Sequence, residues 1–163
     1  MWRRRTGSCR GSWLVEGTLA MLPLMAFLLG IVDVSVAIFV KNTVQFAVRQ
    51  GVRYAVTSQT MTGQGQDASI RSIVQTYSLG LMNALSPTGN GNDAITISYY
   101  DPVTLAQVTG TGSNSGGNIV VVSATGLSWA WMVPLLRDAT PLQFSVSSAD
   151  IMEATPVAGA PTR

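Results

Sequence analysis

The chain has 163 residues, ten Lys/Arg against eight Asp/Glu, a single cysteine and no histidine, for a formal net charge of +2. The absence of histidine excludes a Ser-His-Asp triad, imidazole acid-base catalysis and histidine metal sites. The lone Cys9 excludes an intramolecular disulfide, and it precedes the apolar run where a lipid-attachment cysteine would follow one. Four of the basic residues, Arg3, Arg4, Arg5 and Arg10, fall in the first ten positions, which leaves six basic against eight acidic from Gly11 onward. No Lys/Arg cluster remains to follow nucleic-acid phosphates. There is also no Walker lysine motif and no Gly-x-Ser-x-Gly elbow. The expectation is a protein that is not an enzyme, with no catalytic residues, cofactor, metal, nucleic acid or small-molecule substrate.

From Ser12 to Val40 the only ionisable side chains are Glu16 and Asp33, and the segment is apolar enough to cross a hydrocarbon core of about 30 Å, which takes about 20 helical residues. It reads as one transmembrane helix. The arginines on its N-terminal side place residues 1–11 in the cytoplasm and the bulk of the chain outside.

Three readings of this segment compete. A secretory signal peptide would end at a small-x-small site such as Ser35-Val36-Ala37, but the apolar stretch is longer than the 7 to 15 residues of an ordinary h-region and Glu16 interrupts its start. A plain signal anchor explains length and arginines but gives Glu16 no purpose beyond sitting at the headgroup level. An acidic group toward the centre of a membrane helix costs about 2.5 to 3.5 kcal/mol on insertion scales. The third reading uses spacing: a cut after Gly11 makes Ser12 the new N-terminus and Glu16 its fifth residue, one helical turn from the fresh α-amine. Glycine at the last leader position lets a peptidase approach the backbone closely, because no Cβ intervenes.

The basic leader, Arg10-Gly11, Val15-Glu16, Leu22-Pro23-Leu24, Gly30, the acidic Asp33 and the stretch Val44 to Ala55 with its Arg-x-Gly-x-Arg motif (Arg49, Gly51, Arg53) together resemble the TadE-like family, the minor pilins of the tight-adherence (Tad/Flp) pilus system. The resemblance covers Arg10 to Val56. It implies processing by a prepilin peptidase after Gly11, with Gly11, Ser12 and Glu16 as the processing and assembly residues. It also implies that the amine of one subunit pairs with Glu16 of a neighbour. The implied partners are the inner membrane, the peptidase, other pilins and pilus assembly or secretion proteins. Such chains commonly carry an aromatic residue after the glutamate, where this one has Gly17, and a glutamate where this one has Asp33.

Farther along, Pro23 removes one helical hydrogen bond and predicts a kink between Leu19 and Pro23. Asp33 lies 17 residues past Glu16, about 25 Å along the axis, and solvation at the outer interface accounts for it without a partner. Beyond Lys41 the small or apolar residues Val44, Ala47, Val48, Gly51, Val52 and Ala55 recur with helical period, so the helix extends through residues 41–57, its stripe suited to a sheet of its own domain or, as the sharper alternative, to neighbouring subunits. The segment 59–66 is a polar loop. Residues 63–68 fit G-x-G-x-x-A, but a nucleotide fingerprint needs a preceding strand, and here Asp67 is expected to cap a second helix. That helix runs to Leu85 with Ile70, Ile73, Val74, Tyr77, Leu81 and Leu85 on one face, ended by Ser86-Pro87.

From Ala94 the period becomes two. Ile95, Ile97 and Tyr99, then Ile119 to Val122, then Leu142, Phe144 and Val146 predict strands of a small antiparallel sheet of about three to four strands. Asp101-Pro102 forms a turn and residues 110–118 a flexible Gly/Ser/Asn-rich hairpin loop. The segment 126–136, with Trp129 and Trp131, suits core packing, the membrane interface or another subunit. Asp150 and Glu153 are solvated at a strand end. Residues 154–163, with Pro156 and Pro161, read as a flexible tail.

The expected architecture is therefore α+β: a cytoplasmic leader (1–11), a transmembrane helix (12–40) and its extension (41–57), an extracytoplasmic domain (58–153) and a tail. The expected function is a pilin-like minor subunit or initiator of a tight-adherence pilus. The alternative is an extracytoplasmic binding module of the cell envelope, for which the helix is only a tether.

Overall fold

The computed structural model describes residues 10–133, 140–154 and 160–163. The leader residues Arg3, Arg4, Arg5 and Cys9 lie outside the described residues, as do 134–136 of the apolar segment and 155–159 of the tail.

One helix dominates: α1 (Arg10–Val56) is 47 residues long, about 70 Å at 1.5 Å per residue. Its first half is apolar and bare, with Trp13, Leu14, Leu19, Leu22 and Phe27 all exposed. A helix that is apolar on every side is suited to lipid, and α1 is long and apolar enough to cross a membrane. Three of its hydroxyls are satisfied internally: Thr18, Ser35 and Thr43 donate to the carbonyls of Leu14, Ile31 and Phe39 at 2.7–2.9 Å. Pro23 lies inside α1, and the helix continues through it.

Burial begins at Asp33 and continues through Ala37, Val40, Val44, Ala47, Val48, Gly51, Val52 and Ala55. These steps of three and four residues make a single face, which packs against α2, β3 and β4. The small residues matter most where α2 (Gln66–Tyr77) crosses, because a Cβ on Gly51 would stand 2.5 Å from Cγ2 of Val74. Val74 is itself fully buried and cannot swing away. Gly51→Val should therefore force the two helices apart, at a cost of about 2 kcal/mol. A thermal melt of the detergent-solubilised protein would read this, and an unchanged midpoint would refute the close approach as a constraint.

The second helix differs from its sequence reading in two ways. Gly65 occupies the N-cap position with no side-chain cap, and Asp67 lies in the first turn, bonded elsewhere. The helix also breaks: Leu79 and Gly80 take φ of 55° and 79°, and a short α3 (Leu81–Leu85) follows. The apolar period continued across this break, so periodicity alone could not reveal the left-handed pair. Ser86 then turns extended ahead of Pro87, as the residue before proline must. A single turn, α4 (Gly91–Ala94), capped by Asn90, leads into the sheet.

The sheet contains β1 (Ile95–Tyr100), β2 (Gln107–Val108), β3 (Ile119–Trp129) and β4 (Leu142–Ile151), in the antiparallel order β2-β1-β3-β4. The protein is thus α+β, a long apolar helix followed by a second helix and a four-stranded antiparallel sheet. Ile95, Ile97 and Tyr99 of β1 and Val120, Val122 and Ala124 of β3 point inward into the core they share with α1 and α2. β1 turns into β2 over Asp101, whose Oδ1 accepts from the backbone N–H groups of Val103 and Thr104 at 2.8 Å. Those bonds hold its carboxyl below the usual range.

β3 is the strand that decides the geometry. Its inward positions are even-numbered as far as Ala124 and odd from Leu127, because a bulge at Thr125-Gly126 shifts the register against β4. Gly126 takes φ +70° there, a conformation open to glycine at no cost. The strand therefore reaches Trp129, seven residues past its expected end, since an added residue breaks the alternation that would have revealed it. Residues 110–118 are not a hairpin loop either: β1 lies between β2 and β3, so the connection passes over the end of the sheet. It is anchored, with Ser113 and Asn114 fully buried.

That anchoring closes the domain. Asn114 donates from Nδ2 to Oε1 of Gln66 and to the carbonyl of Pro161, and the backbone N–H of Gln66 donates to the carbonyl of Thr162 at 2.7 Å. Nε2 of Gln66 donates to the carbonyl of Ala55, which also accepts from the N–H of Ser58, and the N–H of Glu153 donates to the carbonyl of Val56, so the last turn of α1 is tied to the domain. Arg163 pairs with Asp67 at 2.8 Å and lies over the ring of Tyr99, whose hydroxyl donates to the same carboxylate. Burial first, then that bond and the Asp67 charge, push the Tyr99 phenol well above its usual value, Arg163 opposing. Residues 160–163, within the stretch expected to be a loose tail, are thus held against the domain.

Candidate functional site

The chemistry of this chain is concentrated on α1, which carries two carboxylates in otherwise apolar surroundings. Gly11 and Ser12 lie in its first turn and Glu16 in its second. Glu16 is exposed among exposed apolar neighbours, Trp13, Val15 and Leu19. Among the described residues nothing donates a hydrogen bond to it, and the one ion pair is elsewhere. By helical spacing it lies about 100° around the helix from Asp33 but on the azimuth of the buried Val52, so what separates it from the packed face is the distance along the axis, about 25 Å before Asp33. A partner for this charge therefore lies outside the described residues or on another molecule.

Asp33 is the opposite case. The sequence reading left it solvated; the structure buries it, with 1% of its surface exposed. Its Oδ2 accepts from the backbone N–H groups of Met132 at 2.8 Å and Val133 at 3.1 Å, and its Oδ1 from the indole N–H of Trp129 at 3.3 Å. Three donors from a single segment meet one carboxyl group, which satisfies its oxygens away from water. The signal was present in the sequence: Asp33 stands four residues before Ala37 and seven before Val40, on the same helical stripe as the core positions. The donors were not foreseeable, because two are backbone N–H groups 99 and 100 residues away, delivered by the bulge in β3.

The apolar segment after Gly126 divides accordingly. Leu127 and Val133 are buried, Trp129 packs partly on the core, and Met132 is 60% exposed. Core packing therefore accounts for part of it, and a surface lies beside α1 for the rest. Arg49 and Arg53 of the Arg-x-Gly-x-Arg motif are exposed on the outer side of α1, and Gly51 and Val52 between them serve the packing.

The family model described as TadE-like protein matches residues 11–53, in agreement with the resemblance carried by Gly11, Glu16, Gly30 and the Arg-x-Gly-x-Arg motif. The match covers α1 almost to its end and stops before the sheet. Its implication is a pilin-like protein associated with the Tad pilus, joined to a membrane by one apolar helix. No curated protein and no solved structure matches the chain.

Proposed function

We propose that this protein is a pilin-like subunit of a tight-adherence pilus, acting as a minor component or initiator, held in the inner membrane by α1 with its domain outside the cytoplasm. Its role is structural. A prepilin peptidase cuts after Gly11, and the freed amine of Ser12 supplies the charge that Glu16 lacks, within one subunit or between neighbours. Pro23, by deleting one helical hydrogen bond, lets α1 bend as it moves from bilayer to filament. The observation that carries this reading is the exposed Glu16, on the bare apolar part of a helix matched by the TadE-like model, 17 residues before the first buried position at Asp33. Its other partners are the remaining pilins and the assembly and secretion proteins of the same system.

Mass spectrometry of the protein purified from its native membrane tests the cut. Ser12 is expected as the first residue. A functional protein starting at Met1 would leave α1 as a tether for a binding module, and one starting at Ile38 would make the segment a secretory signal.

A further inference from the structure

From the placement of Trp129 to Val133 we infer that this segment is a membrane seat: an apolar ledge of the domain that rests in the outer headgroup layer, its height set by Asp33. The inference rests on reading α1 as a membrane anchor.

Height is the first consideration. The bonds from Met132, Val133 and Trp129 to Asp33 fix the segment at the level of that residue. The exposed apolar surface of α1 does not stop there: Ile38 and Phe39, more than a turn beyond, are 55% and 62% exposed. From Trp13 to Phe39 the bare helix spans about 39 Å, more than the roughly 30 Å of a hydrocarbon core. Its last turns therefore stand in the headgroup region, and the ledge stands beside them.

The chemistry of the ledge suits that depth. Both indoles have their N–H groups satisfied, Trp129 by Asp33 and Trp131 by the carbonyl of Thr140 at 3.1 Å. The exposed Met132 and Leu142 face outward beside the half-buried rings of Trp129 and Trp131, the combination favoured where one side is apolar and the other wet. Below the ledge, Phe27, Gly30, Ile31 and Val34 form with Val133 an apolar groove continuous with the bare surface of α1. An acyl chain matches that groove in chemistry, because the same side chains already face lipid. Asp33 supports the same assignment. A carboxylate at this depth needs donors and shielding, and the ledge supplies both.

Strand direction puts the rest of the sheet away from the bilayer. β3 descends to Trp129, so Ile119 and its partner Tyr100 lie at the far end, with the β1–β2 turn beyond them.

Site-directed fluorescence tests the inference. In the full chain with Cys9→Ser, an environment-sensitive fluorophore is attached at Met132→Cys, at Leu22→Cys within the bare helix and at Val103→Cys on the distal turn, where the side chain is 87% exposed. The proteins are reconstituted at low density in phosphatidylcholine vesicles containing brominated acyl chains. Leu22→Cys should be quenched strongly, Val103→Cys not at all, and Met132→Cys by about two-fold, best by bromines near the headgroup. In an Asp33→Ala background the Met132→Cys probe should lose most of that quenching, because the carboxylate sets the height of the ledge. Quenching of Leu22→Cys with none at Met132→Cys overturns the seat and leaves the anchor standing. If Met132→Cys is unquenched and instead forms disulfide-linked dimers, the ledge is a surface between copies of this chain. No quenching at Leu22→Cys overturns anchor and seat together.

Discussion

Glu16→Ala is expected to abolish incorporation into the pilus while leaving the protein in the membrane at normal or higher abundance. The two effects have opposite signs for one physical reason. A carboxylate in an apolar helix opposes insertion, by up to about 2.5 to 3.5 kcal/mol toward the bilayer centre and less near its edge, so removing it eases insertion. The same charge is the one ionisable group from Trp13 to Val32, and a charge fixes axial register more sharply than the apolar side chains around it. Glu16→Gln keeps the shape and hydrogen-bonding capacity without the charge, and it should fail as well if the partner is the cationic amine of Ser12. Counting surface pili and blotting membrane fractions for the subunit separates assembly from insertion. Normal piliation in Glu16→Ala would remove the role assigned to the carboxylate.

Asp33→Ala should loosen the domain from the helix, at a cost of about 3 kcal/mol. The substitution deletes one acceptor group and strands three donors, the N–H groups of Met132 and Val133 and the indole of Trp129. Val133 is buried, so water cannot simply replace the lost oxygen there. For a domain of this size such a loss lowers the melting midpoint by more than about 10 °C. Asp33→Asn should fall between, because the amide oxygen still accepts while its NH₂ faces donors. Thermal melts in detergent, followed by near-ultraviolet dichroism of the tryptophans, would measure both. An Asp33→Ala protein that melts like the parent would show that the three bonds contribute nothing net.

What could be read without coordinates follows from how local each signal is. The membrane helix, its continuation along Val44 to Ala55 and the alternation of β1 depend on neighbours within one or two turns, and periodicity reports such neighbours directly. Glu16 was legible for the same reason, since a charge among apolar residues needs no tertiary knowledge to stand out. The break at Leu79-Gly80 was missed because an apolar face can continue across a left-handed pair. The end of β3 was missed because the bulge at Gly126 moves the inward positions from even to odd. Residues 160–163 read as loose because their docking uses backbone carbonyls of Pro161 and Thr162, which carry no sequence signature.

Composition and spacing alone therefore determined that the chain has an apolar helix of membrane length, one acidic residue a turn from a Gly-Ser junction, and a small α+β domain. These are statements about transfer to lipid and about periods of 3.6 and 2, which are properties of short segments. The tertiary structure decided the fate of the second carboxylate. Whether Asp33 meets water or three N–H donors depends on a strand that begins 86 residues later and is re-aimed by a single glycine. Such a contact is set by chain closure through the whole domain, and no local pattern encodes it.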